Sequence, residues 1–249
     1  MGAILKSPAD KPRAKAAVLV AHEIVRQVRA RGLSAGDRLL SEQKMVERYG
    51  VARGTLREAL RLLELHGVLR IRSGPGGGPE LTTPGAEHLG SALALLLQFV
   101  DAPFRAVIEA RVIVEPSLAR LAAERASHGD LQALSESLER LGEQRGGEGF
   151  SDEQRRFHDL VAVAAGNPLF AQLLPALHRL SRVSGLDYAA EERAAALRAL
   201  ERIYKSIESG DGEQAEQQMR RLLSRALRGF DRHRSDQMER RVAWSDALD

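Results

Sequence analysis

The chain has 249 residues, enough for one large domain or two ordinary ones, and it holds no cysteine, which excludes disulfides and thiolate metal sites. Hydrophobic residues make up 43% and aromatic residues only 4%, a composition for aliphatic, helix-packed cores. The net charge of +3 is uneven: residues 1–80 hold 15 Lys and Arg against 8 Asp and Glu, whereas residues 81–249 hold 22 against 26, which fits a nucleic-acid-binding module in the first third or a drift in surface charge.

Residues 1–14, with Pro8 and Pro12, read as a flexible arm. They lack the apolar core of a secretory signal, and Lys6 stands where a myristoylation pattern needs a hydroxyl. From Lys15 to Ala30, Val18, Ala21, Ile24, Val25 and Val28 recur at helical spacing, and Gly32 and Gly36 break the pattern. Ser41 is placed to cap a short helix over "EQKMVERY", which Gly50 ends. A third helix follows from Arg53 to Leu65, with Leu56, Leu60 and Leu63 on one face and Arg53, Arg57 and Arg61 together on another. Glu58 and Glu64 intersperse those arginines, so an isolated helix of this kind reads as a solvated stripe. The context changes that reading. After the helix come "VLRIR", a turn in "SGPGGGP" and a return strand in "ELT", so residues 15–81 form a winged helix-turn-helix, a module that lays one helix in the major groove.

"TTPG" from Thr82 to Gly85 marks a boundary, with a linker over 82–86. Beyond it the spacing predicts helices over 86–100, 103–127, 130–145, 152–165, 168–183, 189–209 and 213–233. The expected fold is therefore mainly α: a winged helix-turn-helix followed by an all-helical bundle of six to seven helices over 87–235, with a flexible tail at 236–249. The longest apolar run, Ala92 to Val100, is too short to span a bilayer, which predicts a soluble cytoplasmic protein without membrane contact. No serine nucleophile elbow or Walker loop is present, and "GPGGGP" lacks a following Lys-Ser/Thr, so no enzyme is expected.

"AGDRLLSEQKMVERYGVARGTLREALRLLELHGVL" resembles the DNA-binding domain of the GntR family of bacterial transcription regulators. "EARVIVEPSLARLAA", "RRFHDLVAVAAGNPLF" and "IYKSIESGDGEQAEQQM" resemble the FCD effector domain of its FadR-like subfamily. By position the resemblance implies operator contacts from Gln43, Arg53, Thr55 and Arg57, close backbone approach at Gly54, and a wing of Arg72, Ser73, Gly74 and Gly76 entering the minor groove. The family often has Arg at the place of Gln43 and Pro at that of Leu40. The chain is too short for the aminotransferase-like domain some GntR chains carry, and too poor in strands for their α/β effector domain. The resemblance further implies a homodimer on an inverted-repeat DNA operator, with repression as the family's usual mode.

Many FCD domains hold a divalent metal with one Asp and three His. Here His158 stands at one ligand position, and Gln154, Leu200 and Leu222 stand at the other three, so no metal and no cofactor is expected. Leucines in those places favour an apolar acid effector, such as a fatty acid or an acyl thioester. His158 either bonds that effector or serves structure. Arg111 either clamps an acid or pairs with Glu115 four residues on. Two alternatives remain: a regulator of small metabolic carboxylates, and a constitutive DNA-binding dimer whose pocket is vestigial.

Overall fold

The computed structural model describes residues 10–74, 77–144, 149–181 and 190–247. The chain divides into two compact units, Met1–His88 and Leu89–Asp249.

In the first unit α1 (Asp10–Ala30) begins earlier than the apolar spacing predicts. It buries Ala17, Val20, Ala21 and Ile24 in one core with Leu56, Ala59, Leu60 and Leu63 of α3 (Arg53–Leu65). Between them lies α2 (Glu42–Tyr49), anchored by buried Met45. Ser41 precedes α2 without a side-chain capping bond. Gly50 ends it at φ 62°, a left-handed position that only glycine adopts at little cost and that redirects the chain into α3. The wing is an antiparallel pair, β1 (Leu69–Arg72) and β2 (Gly78–Leu81), with Leu69 opposite Leu81 and Arg72 opposite Gly78. The return strand starts before "ELT", and the Arg38 segment bridges to it at Glu80. Thr82, the first linker residue, is tied back by Thr82 N–H to Val68 O and by its hydroxyl to Gly67 O.

In the second unit the seven expected segments correspond to α4 (Ala86–Phe99, its first turn lying before the division), α5 (Phe104–Arg125), α6 (His128–Glu143), α7 (Phe150–Ala164), α8 (Phe170–Leu180), α9 (Ala190–Glu208) and α10 (Gly212–His233). Their main core joins Ala119, Leu134, Phe157, Leu200, Ile203 and Met219, one or two from each of five helices. Ser127 and Asp130 cap α6 reciprocally, and Asp211 caps α10.

The flexible tail predicted for 236–249 is corrected by the structure. A short helix, α11 (Ser235–Glu239), buries Met238, and the strap that follows it to residue 247 buries Val242 and Ala247. Phe104 N–H donates to Arg240 O at 2.8 Å and Val242 N–H to Ala102 O at 3.0 Å, so the strap pairs with the turn before α5. Trp244 reaches α4, its indole N–H bonding Ser91 Oγ at 2.8 Å. Met238, Val242 and Ala247 lie in a short stretch of mixed charged and apolar residues that shows no helical or strand period, yet all three are buried.

Candidate functional site

The first candidate surface is the outer face of α3. Arg53, Arg57 and Arg61 are all exposed, opposite the leucines that hold the helix in its core. Arg57 Nε lies 3.0 Å from Glu42 of α2, an exposed pair that a phosphate or base can displace at little cost. Arg53 and Arg61 have no ion pair among the described residues. Thr55 is buried, unlike the three arginines, so its side chain is not presented on this face. Ala52 at the N-cap makes no side-chain capping bond to the first turn of α3. Gly54 is half-buried beside it, and Gln43 is exposed on α2 with its amide 3.4 Å from Glu47. On the wing Arg72 Nε is held by buried Glu80 at 2.8 Å, and Arg70 pairs with the same carboxylate. Both arginines lower the Glu80 pKa, the Arg70 hydrogen bond most. Ser73 and Gly74 are exposed at the hairpin end, and Gly76 lies outside the described residues.

The second candidate is a cavity in the helical unit. An inner chamber of about 70 Å³ is lined by Arg111 and Val112 of α5, Gln154, Arg155 and His158 of α7, and Leu222 of α10, with Ile108, Leu223, Ala226 and Phe230 completing an apolar wall. An outer groove of about 600 Å³ shares Gln154, Leu222, Ala226 and Phe230 with it and continues between α9 and α10. Two polar atoms on the chamber's lining, Gln154 Oε1 and Arg155 Nε, are buried without a partner among the described residues, while the end of the Arg155 guanidinium pairs with Asp152. Burying such atoms unpaired is costly, so a chamber lined by them suits a polar ligand group.

Beneath the chamber lies a charge network that no sequence motif announced. Arg111 Nε donates to Glu115 Oε1 at 2.7 Å, and His158 Nδ1 lies 2.5 Å from Glu115 Oε2. His178 of α8 bridges, with Nε2 at 3.4 Å from Glu115 and Nδ1 at 2.6 Å from Asp159. Burial pushes the Glu115 carboxyl up. The Arg111 and His158 charges and the histidine hydrogen bonds outweigh that and hold it well below its ordinary 4.5. Pro116 follows directly and cannot donate to the Val112 carbonyl, so α5 lacks one backbone hydrogen bond there while continuing unbroken to Arg125. Arg111 thus both pairs with Glu115 and faces the chamber. Bonding through Nδ1 leaves His158 Nε2 without a partner among the described residues.

Of the five residues expected to meet an effector, Arg111, Gln154, His158 and Leu222 converge here. Leu200 does not: it is fully buried in the helical core, on the α9 face that also buries Leu197, Ile203 and Ile207. Ala195, Ala196 and Ala199 face the groove from α9 instead. The donor set does not fit a metal. An amide and one leucine, Leu222, accompany His158, whose Nδ1 is engaged by Glu115, and no metal-binding group occurs among the described residues.

Residues 17–77 match the model of "Bacterial regulatory proteins, gntR family", and residues 106–225 match "FCD domain". The HTH-type transcriptional regulator LutR of Bacillus subtilis is 28% identical over 195 residues, covering 75% of this chain and 88% of LutR. The HTH-type transcriptional repressor NanR of Enterobacter sp. is 28% identical over 169 residues, covering 66% of this chain and 64% of NanR. A Streptococcus agalactiae GntR structure superposes with TM-score 0.67 at 22% identity, over 85% of this chain and 99% of that one, a likeness of fold. Among the described residues no helix is long and apolar enough to cross a membrane.

Proposed function

The chain belongs to the GntR family of bacterial transcription regulators, in its FadR-like branch with an FCD domain, and from that premise we propose that it is a cytoplasmic, effector-released repressor. It is a DNA-binding regulator and not an enzyme. In this reading two copies hold an inverted-repeat operator, each laying α3 in the major groove with Arg53 and Arg57 on base edges and the uncapped α3 N-terminus on phosphate. The end of α4 exposes Leu96, Phe99 (83%) and Val100, an apolar surface that supports self-association.

The effector is an acid with an apolar part. The observation that carries this is the chamber: Arg111 and Arg155 supply positive charge, Gln154 and His158 supply polar contacts, and Ile108, Leu222 and Phe230 form the opposing wall. The effector is held by side chains without a metal. A second reading, a small metabolic carboxylate, is favoured by the chamber's volume of about 70 Å³, which takes a head group but no chain.

Selection of an operator from randomised duplexes, followed by gel shifts at fixed salt, tests the DNA half. Arg53→Ala and Arg57→Ala are each expected to lose about 1–3 kcal/mol of base discrimination per half-site. Unchanged sequence preference in both would refute it. Calorimetry with carboxylates of increasing chain length tests the effector half, and binding that is indifferent to Arg111→Ala would count against it.

A further inference from the structure

The outer groove is charged in a way that an apolar tail does not need. Arg221, Arg225, Arg228 and Arg232 recur along α10 at i, i+4, i+7 and i+11, so they share one face, and Arg202 of α9 lines the groove with them. All five are exposed, and none makes an ion pair or side-chain hydrogen bond among the described residues. This is not the habit of the unit. Arg105 pairs with Asp231 and Glu239, Arg140 with Glu153, and Arg220, on the neighbouring face of α10, with Glu216. Among the described residues one carboxylate, that of Glu192, lines the groove. Arginines three and four apart repel one another along a helix, so this face is less stable alone than with an anion on it. The groove is also concave and floored by Ala195, Ala196 and Ala199, whose small side chains leave the space that the arginines surround.

We propose that this groove is a second, anionic subsite and that the outer end of the effector carries a phosphate or diphosphate ester. The proposal rests on the reading of the inner chamber as the effector's head-group site. A phosphate offers three acceptor oxygens and up to two charges, so one group engages more than one guanidinium, and the planar fork of arginine matches it bidentately. Arg221 and Arg232 are eleven residues apart, about 16 Å along the helix, which suits a diphosphate and its ester better than one carboxylate. At about 600 Å³ the groove has the size of a metabolite site, and its concavity suits a small ligand better than a duplex.

The test is calorimetry on the intact protein with inorganic pyrophosphate, with citrate as a carboxylate of comparable charge. It uses wild type, Arg225→Gln/Arg228→Gln, and the control Arg198→Gln, an exposed α9 arginine outside the groove. Pyrophosphate is expected to bind wild type and the control alike, about tenfold or more weakly in the double variant, and more tightly than citrate. The double variant without ligand is expected to melt about 1 °C higher, since it removes like-charge neighbours. Absence of pyrophosphate binding, equal binding by wild type and the double variant, or equal binding of citrate would each overturn the proposal. If carboxylates bind through Arg111 while pyrophosphate does not bind, only the anionic subsite falls. If neither binds and operator affinity never responds, the effector reading falls with it.

Discussion

Glu115 stands where α5, α7 and α8 meet, with Arg111, His158 and His178 around it and essentially no exposure. Replacing it by Gln keeps the shape but leaves the Arg111 charge, itself only 14% exposed, without its counter-ion. Removing one partner of a buried pair costs about 3–5 kcal/mol, so Glu115→Gln is expected to lose stability of that order in urea denaturation at neutral pH. A loss under about 1 kcal/mol would show the network to be dispensable. Because the folded-state carboxyl is held below its ordinary 4.5, its contribution is complete above that value and is lost only as the pH falls towards the depressed one. The gap between wild type and Glu115→Gln should therefore close as the pH falls well below the ordinary carboxyl value of 4.5. The sequence showed the Arg111–Glu115 spacing but not the network. His158 and His178 lie 43 and 63 positions from Glu115, and only packing brings them together.

Helices were the most legible elements. The α3 bounds follow from its leucine spacing, and Gly50 and Gly210 stop α2 and α9 near where the breakers predict. The wing turn was legible from glycine and proline, whereas the burial of Thr55 was not, because a threonine at the start of a helix suits either face. Placing Leu200 in the pocket failed for a related reason. Counting back from Gly210 locates a residue along α9 but does not say that this helix buries position 200 and turns positions 195 and 199 towards the groove. The strap was not legible because the stretch "MERRVAWSDA" is too short and too mixed in character to show a period. It is nonetheless built into the unit: Met238 packs with Phe104, Ile108 and Phe230, and Arg240 is paired with buried Asp246. Met238→Ala is expected to cost about 2–5 kcal/mol, and removing residues 241–249 should lower the melting temperature of the helical unit by about 5–10 °C. Thermal denaturation followed by circular dichroism measures both. A truncated chain that melts with wild type would mean the strap contributes nothing.

Charge divides the whole molecule. The first unit carries the positive excess and presents it on α3 and the wing, while the second, negative overall, gathers in one groove Arg202, Arg221, Arg225, Arg228 and Arg232, which make no ion pair among the described residues. The two basic surfaces respond to salt differently. Operator affinity should fall steeply with salt as phosphate contacts release counter-ions, with a slope near −0.9 per contact, and Arg225→Gln should leave that slope unchanged because the groove takes a small ligand and not the duplex. A shallower slope in Arg225→Gln would instead put the groove on DNA. If effector and operator bind one protein and oppose each other, linkage makes the opposition mutual. An acid that weakens operator binding tenfold must itself bind about tenfold more weakly to the operator complex, a coupling of roughly 1.4 kcal/mol. Titrating the tightest-binding carboxylate into free protein and into the operator complex should return that factor. In Arg53→Ala, whose specific operator binding is weakened, the same duplex concentration should lower the carboxylate affinity less than in wild type. Equal affinities for free and operator-bound wild type would mean that the chamber binds its acid without regulating the DNA-binding unit, and the proposed release mechanism would be lost.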